Sequence, residues 1–215
     1  MNTQTRYEIR LGLIALALSG LLFVLSIALR GGPIDLADPG ACCRAAFSPT
    51  FMLALTIGLP APLLNLYGFL GLYRYLTYQA ENRIAFLAVV LTTAGLALFM
   101  PLTTFGAVNA PVIAEMYQQG NQAVIAVVES NFAGLGLIIL GVSSAGGIGG
   151  AILFGVAAWR DGRLPRWTAV SLGLSVLLLG VPVTYPTELL GAVLLMVSAG
   201  VMAWKGWQES EAGTG

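Results

Sequence analysis

The sequence predicts an all-α fold: a polytopic membrane bundle of six transmembrane helices with both termini on the cytoplasmic side. An amphipathic outer helical segment at about 111–131 is added to it. Three observations carry this prediction. Only 20 of the 215 residues are charged, and they sit at the ends of long apolar runs. A hydrocarbon core about 30 Å thick needs roughly 20 apolar residues of helix to cross it, and six runs approach that length. Finally, the basic residues divide unevenly between the two sides that six crossings create.

The first run, Leu11–Leu29, follows Arg6 and Arg10. It is longer than the apolar region of a secretion signal and has no small-x-small cleavage site, so it reads as a retained span. The remaining spans fall at about 51–73, 84–105, 132–159, 167–185 and 187–206, within a single transmembrane domain covering 1–215. The last two are joined by a turn at Pro186-Thr187-Glu188. With the N-terminus inside, Arg6, Arg10, Arg74, Arg83, Arg160, Arg163, Arg166 and Lys205 are cytoplasmic, while only Arg30 and Arg44 are outside. That asymmetry is the positive-inside pattern expected of a plasma (inner) membrane protein. Trp159, Trp167, Trp204 and Trp207 all fall at cytoplasmic ends, in the layer that indole rings prefer.

Four segments stand out within this frame. Pro60-Ala61-Pro62 breaks the second span, because each proline removes a helical hydrogen bond and frees a carbonyl. Thr56, Asn65 and Tyr67 around the break fit either a polar niche or, the favoured reading, a static kink with Asn65 hydrogen-bonded to a neighbouring helix. In the fourth span, Gly146 and Gly150 are four apart, the spacing that lets helix backbones approach closely. The third segment is 111–131, read as one helix entered at Pro111, where a helix start tolerates proline, and hinged at Gly120. Glu115, Gln118, Gln119, Gln122 and Glu129 share one side; Val112, Ile113, Met116, Val124, Val127 and Val128 share the other. Three arrangements fit: flat on the outer leaflet, a protruding extension of the fourth span, or packing on the outer mouth of the bundle with the polar stripe lining a cavity. The last is preferred, and a polar face that is simply solvated is weighed evenly against it. The fourth segment holds adjacent Cys42 and Cys43 in an outer loop, where the compartment permits disulfides. They are candidates for thiol redox chemistry, although neighbouring cysteines bridge only through strained geometry.

The absences restrict function. The chain has no histidine, which removes the commonest general base and metal ligand. Two cysteines do not make a four-ligand zinc site, and neither a metal nor another cofactor is expected. The formal net charge is zero and no basic stripe runs along the chain, so nucleic acid is not an expected partner. No acid or base lies inside a span core, which disfavours proton-coupled transport. The glycines of the fourth span lie inside an apolar run with no lysine near, so they do not form a phosphate loop. Ser143 and Ser144 have no histidine to activate them.

Three stretches give the chain a likeness. Tyr73-Arg74-Tyr75-Leu76 ends the second span, with Asn82-Arg83 following. A polar outer segment precedes a long fourth span. That span closes on Phe154-Gly155-Val156-Ala157-Ala158-Trp159-Arg160, then Gly162-Arg163-Leu164-Pro165-Arg166-Trp167. Over roughly residues 60–180 the chain resembles an uncharacterised six-span bacterial membrane protein family, a domain of unknown function. The resemblance implies the topology and transfers no catalytic residue. The expectation is a non-enzymatic protein, embedded in the lipid bilayer, that binds a hydrophobic or amphipathic ligand or serves as an accessory subunit of a membrane complex. Its candidate contacts are Asn65, Tyr67, Glu115, Gln118, Gln122, Glu129 and Asn131. The alternatives are a small-molecule facilitator or transporter and, third, a thiol-redox membrane protein.

Overall fold

A computed structural model describes residues 3–31, 39–132, 134–180 and 184–212. The described residues are all-helical. The elements are α1 (Thr3–Arg30), α2 (Pro39–Ala45), α3 (Pro49–Gly58), α4 (Ala61–Thr77), α5 (Arg83–Gln118), α6 (Ala123–Phe132), α7 (Gly134–Asp161), α8 (Arg166–Gly180) and α9 (Tyr185–Ala212). Five helical segments are long and apolar enough to cross a membrane: α1, α3 with α4 taken together, α5, α7 and α9. The run expected at 167–185 gives α8, which has 15 residues, about 22 Å of helix and short of a full crossing by itself.

Local chemistry sets the boundaries. Pro60 and Pro62 lack the N–H groups that would continue the helix, so the run from Pro49 to Thr77 breaks between Gly58 and Ala61. The Asn82 side chain accepts from the backbone N–H of Ile84 and of Ala85, both at 3.1 Å, and starts α5 as its N-cap. Gly120, at φ +82°, ends α5. The Asn121 N–H then reaches back to the Met116 carbonyl at 3.1 Å, the closing bond of a Schellman turn that only a residue tolerating positive φ allows.

The helices pack antiparallel in a closed circuit, α5 to α7, α8, α9, α1, α4 and back to α5. Glycines set the close crossings. A methyl on Gly12 would lie 2.5 Å from the Gly71 Cα, so α1 and α4 touch backbone to backbone. Gly146 and Gly150 both face α5: a Cβ on Gly150 would fall 2.7 Å from the Thr92 nitrogen, and one on Gly146 lies 3.1 Å from the Leu91 carbonyl oxygen. Across the middle of the circuit, Phe69 of α4 stacks on Phe154 of α7 with centroids 5.1 Å apart.

The main core gathers toward the end that carries both termini. Leu13, Leu16, Leu72, Phe154, Leu172, Leu195 and Met202 are fully buried there. Arg163, in the turn between α7 and α8, closes this end. It donates to both carboxylate oxygens of Asp161 at 2.7 and 2.9 Å and to the Tyr75 carbonyl at 2.8 Å. Its guanidinium also lies over the rings of Tyr75 and Tyr78. Burial disfavours the Arg163 charge, but the hydrogen bonds and charge of Asp161 outweigh it, with Tyr75 and Tyr78 adding, so the group is held above its ordinary range. At the opposite end, Arg30 pairs with Glu188, joining the end of α1 to the start of α9.

Candidate functional site

The end opposite the termini carries the most open architecture. α5 does not stop after the expected 84–105 span. It runs unbroken to Gln118 through Pro101 and Pro111, 36 residues or about 54 Å, roughly 24 Å more than a hydrocarbon core needs. The expectation of one helix over 111–131 entered at Pro111 is therefore corrected. Residues 111–118 are the tip of α5, and α6 is a separate helix after the turn at Gly120. Sequence periodicity does not separate the two cases, because a proline on the exposed side of a long helix leaves its apolar pattern intact.

α2 straps this tip. Cys43 is fully buried against Val124 and Val128 of α6, beside Ile113 and Tyr117 of α5. A second patch packs Ala46 and Phe51 on Ala110 and Ala114. Phe47 lies 6.3 Å from the Tyr117 ring. Burial pushes the Cys43 thiol above its ordinary value, against the smaller pull of a backbone hydrogen bond and of Arg44. A protonated, enclosed thiol is a poor nucleophile, so Cys43 serves here as a small apolar core residue. The Cys42 side chain lies outside the described residues.

Between the α5 tip and α6 lies a groove of about 230 Å³. Its walls are apolar: Phe105, Val112 and Met116 from α5, Val124 and Val127 from α6. Asn109 and Asn121 are the amides on its lining. Both amides are tied locally, Asn109 donating to the Phe105 carbonyl at 2.8 Å and Asn121 accepting from the Ala123 N–H at 3.1 Å. Of the two outcomes weighed for the polar stripe, the cavity-lining one is not seen: the apolar side lines the groove. Glu115, Gln118 and Gln122 are exposed, and Glu115 accepts a long bond from its own helix neighbour Gln119. The side chains of Glu129 and Asn131 lie outside the described residues.

The polar niche weighed as one reading of the proline break is not assembled. Asn65 is buried, 6% exposed, with its Oδ1 unpartnered among the described residues. Tyr67, two residues on, points to the other side of α4 and is 45% exposed. Thr56 is exposed and returns its hydroxyl to the Met52 carbonyl at 2.9 Å. Asn65 and Tyr67 are separated by about 200° around the helix, so sequence proximity overstated their spatial proximity. Sequence reasoning missed Phe105, Asn109 and Asn121. The turn that brings α6 back along α5 was the missing fact, and the Gly120-Asn121 pair was its signal.

Among the described residues no three of His, Cys, Asp or Glu gather as a metal site would require. Among the described residues the groove offers apolar contact, with Asn109 and Asn121 as the amides on its lining. No family model, curated protein or solved structure matches the chain. What the fold and site define is a class: an all-helical protein with five segments apt to cross a membrane and an apolar groove on a protruding hairpin.

Proposed function

We propose that this chain is a six-pass, non-enzymatic plasma membrane protein whose outer α5/α6 hairpin binds the apolar part of an amphipathic molecule. The observation that carries this reading is the groove itself. Its volume falls below the roughly 300–1,000 Å³ of pockets that enclose whole small ligands, so it suits a single acyl chain, with the polar end near Asn109 and Asn121. Chain direction supports six crossings: α7 ends at the turn that holds Arg163, while Glu188 in the first turn of α9 pairs with Arg30 at the opposite end, and α8 is read as the crossing between them. The likeness to six-span bacterial proteins belongs to the same reading. Binding is favoured over transport because the cytoplasmic half is packed solid around Phe69 and Phe154.

The test uses a diazirine-bearing fatty acid added to membranes containing the protein. Crosslinks are expected to concentrate on α5/α6 peptides around Phe105–Val127 and to fall at least several-fold in a Val112→Trp, Val127→Trp double variant. Both valines are exposed, so the fold tolerates the larger rings. Labelling spread evenly over the exposed faces of α1 and α9 and unchanged in the variant would refute the reading. Selective copurification of a second protein lost in the same variant would instead make the groove a subunit interface.

A further inference from the structure

The cytoplasmic end carries eight basic side chains by the topology above, and they are not equivalent. Arg163 is consumed by Asp161 and two tyrosine rings. Arg74 lies 3.7 Å from Glu8, and Arg10 stacks on Trp207 at 4.2 Å. Arg83, Arg160 and Arg166 are exposed and have no carboxylate partner among the described residues.

These three stand at one height, at the ends of the consecutively packed helices α5, α7 and α8. Thr92 sits against Gly150, and the helices are antiparallel, so nine residues along each brings Arg83 level with Trp159 and its neighbour Arg160. Gly155 packs on Ala169, one turn from Arg166, and the Arg166 guanidinium lies 5.4 Å from the Trp159 ring centroid. Asp161, next to Arg160, is paired with Arg163, and Glu81 lies in the turn before Arg83; with both acids counted against Arg83, Arg160, Arg163 and Arg166 the region stays positive. The arginines cap exposed apolar stripes: Phe86 and Val90 below Arg83, Val156 and Trp159 beside Arg160, Trp167 and Val170 beside Arg166.

We propose that this edge of α5, α7 and α8 is a binding site for an anionic phospholipid of the cytoplasmic leaflet. Its phosphate sits among Arg83, Arg160 and Arg166, and its acyl chains run along the stripes beneath. Guanidinium groups pair with phosphate through two parallel N–H donors, and the indoles of Trp159 and Trp167 hold the headgroup layer. A soluble anion would need the charge but not the stripes, and the coincidence of both selects a lipid. The inference rests on the membrane reading above, though not on the outer groove.

The test is native mass spectrometry of the full chain in mild detergent with equal phosphatidylglycerol and phosphatidylcholine, alongside flotation with phosphatidylcholine vesicles. The wild type should retain phosphatidylglycerol preferentially. Each Arg→Gln change at 83, 160 or 166 should weaken that preference about five-fold, and the triple variant should abolish it while floating normally. Lys205→Gln, exposed on α9 away from this edge, should change nothing. Retention by the triple variant, an equal effect of Lys205→Gln, or full displacement by inorganic phosphate would overturn the site. Failure of the wild type to float would sink the membrane reading and the site with it.

Discussion

Replacing Gly71 by alanine tests the contact on which the bundle turns. The new methyl would lie 2.5 Å from the Gly12 Cα and 3.0 Å from the Gly12 carbonyl carbon. Both are backbone atoms of α1, so no side chain can swing aside. Normal carbon contact is about 3.5–4.0 Å, so α1 and α4 must separate by about 1 Å. Leu13, Leu16 and Leu72 are fully buried at that seam, and gaps of this size forfeit a quarter to a half of each contact's attraction. Overpacking of this kind costs about 1–3 kcal/mol. Gly149→Ala is the control, because a methyl there meets nothing within 4 Å. It should be neutral or slightly stabilising, since alanine favours helix by about 1 kcal/mol over glycine. Denaturant titration in detergent micelles, followed by tryptophan fluorescence, measures both. Equal stability of the two variants would show that α1 and α4 do not cross at Gly12 and Gly71.

Glu188→Gln should destabilise the protein by about 2 kcal/mol, because Arg30 keeps its charge in a half-buried place; Arg30→Leu with Glu188→Leu should recover most of the loss in the same titration. Arg163→Lys retains the charge but not the planar fork. It should cost about 1–2 kcal/mol, read as lower thermal stability, while Arg160→Lys changes little. In a Cys42→Ser background, Cys43 should resist maleimide at pH 8 until denaturant is added. Its folded-state pKa lies above the ordinary value, so the folded form binds more protons than the unfolded chain as pH rises. The stability it contributes is complete below the unfolded thiol's pKa, about 8.5, and is lost above it. Cys43→Ala should flatten that alkaline decline.

Five of the six expected apolar runs form helices long and apolar enough to cross a membrane, and they were legible because a bilayer imposes a one-dimensional rule. An uncharged run such as Leu11–Leu29 has few alternatives to a helix, since every backbone group must be satisfied within its own segment. Gly146 and Gly150 were legible for a related reason, because small residues four apart form a strip whatever they meet. Partners were not legible. Nothing in the spacing of Gly12 and Gly71 says that they meet, and nothing near Arg163 in sequence shows Tyr75 beneath it.

The candidate site was misread where local pattern and chain direction part. The alternation of polar and apolar residues over 111–131 is real, but it serves two helices folded back on each other. Val112, Val124 and Val127 therefore line an open groove while Gln118 and Gln122 face out. Composition by itself determined the helical class, the apolar segments and the lack of histidine chemistry, because those depend on what each residue is. Only the tertiary structure decided that α5 overshoots, that Cys43 is buried and that Asn65 and Tyr67 part company. Each of these depends on which surfaces meet after the chain turns, and the positive φ at Gly120 and the proline break at Pro60 set those turns.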